Sequence, residues 1–222
     1  MIIYLIFLFL AIFISLFVLY VLSKNDFILL RKGITLLNVF NITFISLFFA
    51  FISGRVFYIL DNFDPRMLDV LNFFHILKYP GFSVLEGFIG GLLVLFFKRY
   101  SEARLRVADI LTLSFFSTYY FFVISSFDFG KLWIVKMPLL IFLLVMYFLL
   151  LNSHKNYKLR DGSIALVIIA LISLVGFIDK GIIFNKNILE LHSVSQVISI
   201  ILFIVSFILI IFNQRVIGRR RR

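Results

Sequence analysis

Seven apolar stretches, at about residues 2–22, 38–60, 83–97, 107–127, 133–151, 163–184 and 193–212, divide the chain, with clusters of charge between them. A helix needs about 20 apolar residues to cross the hydrocarbon of a bilayer, and most of these stretches approach or reach that length. A soluble domain is excluded: 63% of the 222 residues are hydrophobic, only 15% are charged, and mean hydropathy is +1.12. A water-facing surface cannot be assembled from what remains, so the solvent is lipid. The stretches are continuous and rich in Leu, Ile and Phe, without the period-two alternation of an outer-membrane barrel, so the backbone must satisfy its polar groups within helices. The expected fold is all-α, a polytopic membrane helix bundle of about seven transmembrane helices forming a single domain over residues 1–222. The first stretch is read as a span and not a signal peptide: no basic residue precedes it, its apolar run is too long, and no small-residue cleavage site comes before Lys24.

The net charge of +11 then has a topological meaning and implies no nucleic-acid partner. Lys24, Arg31 and Lys32, then Lys98, Arg99, Arg104 and Arg106, then Lys155, Lys158 and Arg160, then Arg215 and Arg219 to Arg222, all fall in alternate connections. The opposite side holds only Arg66, Lys78, Lys131, Lys136, Lys180 and Lys186. Because basic residues gather in cytoplasmic loops, the N-terminus is expected outside and the C-terminus in the cytoplasm. The longest polar interruption, about 61–82, would lie outside and has room for a short interfacial helix. With no cysteine in the chain, disulfides, thiolate metal sites and a cysteine nucleophile of the protein's own are excluded.

Ionisable side chains inside spans are costly and therefore candidate functional groups. Arg55 and Glu86, near the outer ends of the second and third spans, qualify, as does Asp109 in the fourth. Arg55 and Glu86 have two readings: a structural ion pair, or an anion site in which the guanidinium forks a lipid phosphate. Asp109, close to Arg104 and Arg106, reads as their interfacial partner. Gly87 and Gly91 have the spacing of a helix-packing face, while Gly81, Gly87, Gly90 and Gly91 next to a polar residue also suit backbone N–H groups facing an anion. His75, His154 and His192 fall in connections or at span edges, so no serine-histidine pair lies within the spans. No metal-spaced cluster or phosphate loop is present, and neither metal nor cofactor is expected.

The order of these features resembles the prolipoprotein diacylglyceryl transferase family, seven-span bacterial inner-membrane enzymes that move diacylglyceryl from phosphatidylglycerol to the lipobox cysteine of a preprolipoprotein. Ser53-Gly54-Arg55-Val56-Phe57-Tyr58-Ile59-Leu60 is similar to the family's Gly-Ala-Arg-Leu-Gly-Tyr-Val-Leu. Gly81-Phe82-Ser83-Val84-Leu85-Glu86-Gly87-Phe88-Ile89-Gly90 resembles its Gly-Gly-Leu-Ser-Phe-His-Gly-Gly-Leu-Ile-Gly from the second glycine. Arg104 to Leu111 looks like the basic loop leading into Asp-Leu-Leu, Pro138 falls where a His-Pro-Ser-Gln-Leu-Tyr-Glu motif opens a span, and Ser195 to Ser199 resembles Gly-Gln-Ile-Leu-Ser.

The chain departs from the family at the chemistry. Leu85 stands for the family's His, with Glu86 for the following Gly. The Gly-Arg-Ile-Gly-Asn-Phe-Ile-Asn-Gly-Glu signature falls on Thr118 to Phe127, with Tyr119 in place of Arg. A later Arg-Phe-x-x-Glu falls near Gly176 to Lys180, where Asp179 keeps the acid with a one-residue shift. The resemblance implies phosphatidylglycerol and a lipobox peptide as membrane partners, with Arg55, Tyr58, Ser83, Gly87, Gly90 and Tyr119 contacting substrate and Glu86 or Asp179 as the base. The alternative is a diverged member that binds lipid or lipoprotein without turnover.

Overall fold

The computed structural model describes residues 2–62, 70–74, 82–97, 103–125, 133–183 and 194–218, and the side chains of 9–62, 72–74, 82–95, 103–121, 137–178 and 195–214. Among them all regular structure is helical: α1 (Ile2–Lys24), α2 (Phe27–Arg31), α3 (Leu36–Asp61), α4 (Val70–Phe74), α5 (Val84–Phe97), α6 (Arg104–Ser125), α7 (Trp133–Lys155), α8 (Ser163–Ile183) and α9 (Val194–Gly218). Helices thus occupy all seven apolar stretches, and the short α4 lies inside the 61–82 connection. Among the described residues, three helical segments are long and apolar enough to cross a membrane: Leu36–Asp61, Met137–Lys155 and Ser195–Gln214. At about 1.5 Å per residue, the 26 residues of the first give roughly 39 Å and the 20 of the last roughly 30 Å.

Large apolar side chains face outward along the long helices. Phe9, Phe13 and Phe17, spaced by four on α1, are exposed, as are Ile141, Leu144 and Phe148 on α7 and Ile204, Ile208 and Phe212 on α9. Apolar surface this extensive is unfavourable in water and at home in hydrocarbon. Polar residues lie inside as well, beside an apolar core. Along α6, Thr112, Ser114, Ser117 and Thr118 are buried, and each hydroxyl donates to a carbonyl three or four residues earlier. Their hydrogen-bonding capacity is therefore met within the helix.

The chain forms two compact units, residues 1–36 with 105–168, and residues 37–104 with 169–222. In the first, two connections and the start of α6 meet around charged groups. Asp26 is the N-cap of α2: its Oδ1 accepts from the N–H groups of Ile28 and Leu29 at 3.0 and 3.1 Å. Its Oδ2 takes both Nε and Nη2 of Arg106, at 2.8 and 2.7 Å, and both side chains are 2% exposed. Arg106 also reaches Asp161 at 3.6 Å and lies over the Tyr157 ring, 4.7 Å from its centroid. Tyr157 has a positive φ of 49°, which costs a non-glycine residue about 1–2 kcal/mol. The Schellman turn after α7, closed by Lys158 N–H to the Ser153 carbonyl, requires that conformation. The ring's stacking on Arg106 and the Phe27 N–H donated to its hydroxyl offset the strain.

Asp109 departs from its expected role. It is fully buried, and its oxygens accept from the N–H groups of Gly162 and Ala165 at 2.7 and 2.8 Å. A carboxylate there meets two of the orphan donors at the start of α8 and its positive dipole end. Arg106 turns to Asp26 and Asp161 instead.

In the second unit, α5 packs on α3 through its glycines. A Cβ on Gly91 would stand 2.9 Å from the Ser46 carbonyl oxygen and 3.2 Å from Ala50 Cβ, and one on Gly87 would stand 2.9 Å from the Ala50 carbonyl oxygen. A Cβ on Gly90 would run into Ser53 Oγ. Ser46, Ala50 and Ser53 are the matching small face of α3, so close approach of the two helices requires these glycines.

Candidate functional site

The polar residues at the Gly54 end of α3 and the start of α5 are joined by backbone contacts. Ser83 N–H donates to the Gly54 carbonyl at 3.0 Å. Ser53 Oγ lies 3.4 Å from the Gly87 carbonyl, and the Phe82 ring fills the space that a Cβ on Gly54 or Gly87 would take. Phe51 stacks on both Phe74 of α4 and Phe82, which walls this region with aromatic rings.

Arg55 is fully buried. Its Nε donates to the Phe73 carbonyl at 2.9 Å, and its guanidinium lies 5.7 Å from the Tyr58 ring centroid. This fixes the plane of the guanidinium, a pre-organisation that suits planar recognition of an oxyanion.

Glu86, in the first turn of α5, is 4% exposed. Its Oε2 accepts from the Ser83 hydroxyl, while Oε1 is buried with no hydrogen-bond partner among the described residues. Ser83-Val84-Leu85-Glu86 has the spacing of a capping box, in which the glutamate returns to the N–H of the N-cap serine. That N–H is already given to Gly54, so the box does not close. The pattern is legible in the sequence, but the competing carbonyl is not. Among the described residues the ion pair that the spans allowed between Arg55 and Glu86 is not formed.

The structure therefore brings together Arg55, Tyr58, Ser83, Glu86, Gly87 and Gly90 in one unit. The glycines serve helix packing. Tyr119 belongs to the other unit, where it is buried and stacked on Phe116 at 6.2 Å. The backbone of Asp179 lies in α8; its side chain is outside the described residues, as are Arg66, His75, Phe127 and Arg219 to Arg222. Leu85 is buried.

In the sequence Asp61 is distinguished only by its place in the outer connection. Its carboxylate accepts from both the N–H, at 3.2 Å, and the hydroxyl of Ser195, at the start of α9. Among the described residues no group of three or more His, Cys, Asp or Glu is placed to hold a metal ion. Comparison with known proteins finds no matching family model, no similar curated protein and no similar solved structure.

Proposed function

We propose that the chain is a seven-span membrane protein of the prolipoprotein diacylglyceryl transferase type, its N-terminus outside and its C-terminus in the cytoplasm of a bacterial inner membrane. It transfers diacylglyceryl from a phospholipid, phosphatidylglycerol in the family it resembles, to a lipobox cysteine. The observation that carries the reading is a buried, oriented Arg55 in the same unit as a buried Glu86 with one uncommitted oxygen.

In this chemistry the cysteine sulfur bonds to the diacylglyceryl carbon as the carbon–oxygen bond to phosphate breaks. The thiol proton passes to a base, Glu86 or Asp179, and glycerol phosphate leaves. Negative charge grows on the leaving phosphate, so a fixed cation beside it stabilises the transition state more than the bound lipid. Arg55 supplies that cation, and the Tyr58 ring beneath it holds it in place.

The test is transfer in phosphatidylglycerol liposomes with a single-cysteine lipobox peptide, read by mass spectrometry. A cysteine-dependent gain of one diacylglyceryl mass, lost in Arg55→Ala, is the expected result. No gain beside an active family enzyme overturns the transferase reading in favour of lipid binding without turnover, the outcome that Leu85 in place of the family's His favours.

A further inference from the structure

At one end of the first unit, acids and bases are sorted by depth. Asp26 turns to the α2 backbone and Arg106, Asp109 to the start of α8, and Asp161 toward Arg106. Lys24, Arg31, Lys32, Lys155, Lys158 and Arg160 are all exposed. Buried contacts hold the segments that carry them together: Asp26 Oδ2 lies 2.7 Å from Arg106 Nη2 and 3.6 Å from His154 Nε2, and the Phe27 N–H donates to the Tyr157 hydroxyl. The end of α1, the whole of α2 and the turn after α7 therefore share one face. Amid its cations, Phe27 and Leu30, three apart on α2, are 67% and 62% exposed, while Leu29 between them is buried on the other side. Topology alone accounts for Lys and Arg at helix ends. It gives no reason for two large apolar side chains to turn outward among them. The boundary between headgroups and acyl chains suits both, with hydrocarbon for the apolar groups and phosphate for the cations.

We propose that α2 lies in the membrane interface with Phe27 and Leu30 in the acyl boundary, and that Arg31, Lys32, Lys155 and Lys158 hold anionic phospholipid headgroups against this face. Asp26 makes the surface possible. By capping α2 and engaging Arg106 it draws inward the negative charge that would otherwise repel a phosphate, and it fixes which side of α2 faces out. A zwitterionic headgroup carries the same phosphate together with a compensating cation, so net charge sets the preference. The site is separate from the transfer chemistry and stands whether or not Arg55 binds a donor lipid.

The experiment is tryptophan quenching in the full chain. The chain's one tryptophan is removed by Trp133→Phe and another is introduced by Phe27→Trp, at an exposed position. The protein is reconstituted in vesicles of phosphatidylcholine with a minority of phosphatidylserine, with bromine on the acyl chains of one lipid or the other. Per mole of brominated lipid, the serine lipid is expected to quench about fivefold more than the choline lipid, the ratio that corresponds to about 1 kcal/mol for one charge at a basic surface. The excess is expected to vanish when Arg31, Lys32, Lys155 and Lys158 are all replaced by Gln. It should also vanish in the chain with its cations intact at about 1 M salt, where screening acts over about 3 Å, so the test does not depend on the fourfold variant folding. Equal quenching by the two lipids, or an excess that survives both treatments, overturns the anionic preference. Absence of quenching by either lipid overturns the interfacial placement. Arg55→Gln is expected to leave the excess unchanged, and its loss there would assign the lipid to Arg55 and overturn the proposal.

Discussion

Replacing Asp109 by alanine removes both acceptors from the start of α8. The two hydrogen bonds, 2.7 Å to Gly162 N–H and 2.8 Å to Ala165 N–H, join a fully buried carboxylate to buried backbone. Each buried N–H left without an acceptor costs about 1–3 kcal/mol, so Asp109→Ala is expected to cost about 2–6 kcal/mol, a large part of an ordinary stability of about 5–15 kcal/mol. Asp109→Asn keeps one acceptor oxygen and turns an amide NH2 toward the second N–H, so its cost is about half as great. The assay is reversible unfolding in mixed detergent micelles followed by circular dichroism, together with amide hydrogen exchange. The Ala165 amide is expected to lose protection first, because it is the donor left unmet inside the helix turn. Asp161→Asn is the control: its carboxylate is 32% exposed and 3.6 Å from Arg106, and its loss is expected to cost no more than about 1 kcal/mol. An Asp109→Ala chain within about 1 kcal/mol of wild type, with Ala165 still protected, would refute the assignment of Asp109 as the external cap of α8.

Arg106→Leu strands the buried Asp26 carboxylate and is expected to destabilise by about 3–5 kcal/mol. Pairing it with Asp26→Asn should cost less than the sum of the two single changes in a double-mutant cycle of the same unfolding measurement. Gly87→Ala places a methyl group 2.9 Å from the Ala50 carbonyl oxygen; a thermal melt in detergent should show overpacking of about 1–3 kcal/mol. Gly33→Ala meets nothing within 4 Å but inherits φ +65°, so its cost, about 1 kcal/mol, is conformational, and Gly33→Asn should recover part of it.

The helical segments were legible because each is a continuous apolar run, and helices are the form in which such a run meets its own backbone needs in lipid. The polar residues inside them were visible as exceptions, but each had two meanings that depend on backbone far away in sequence. Asp109 beside Arg104 and Arg106 looked like an ion-pair partner; the N–H groups it serves lie 53 and 56 residues further on, and no side chain announces them. Nothing in the sequence marks Asp26 among its basic neighbours, since its role depends on Arg106, 80 residues away. The glycines of α5 suited packing or an anion equally well until Ser46, Ala50 and Ser53 were set opposite them. In a chain whose exterior is interchangeable hydrocarbon, specificity lies in these interior polar contacts. Asp26, Asp61 and Asp109 find their donors at the N-termini of helices. Glu86 lies at the start of its own helix, but the N–H it would have bonded is held by the Gly54 carbonyl. The same contact that docks α5 on α3 thus leaves one Glu86 oxygen without a donor among the described residues, which is why this residue, and not the more conspicuous glycines, is the place to look for a ligand.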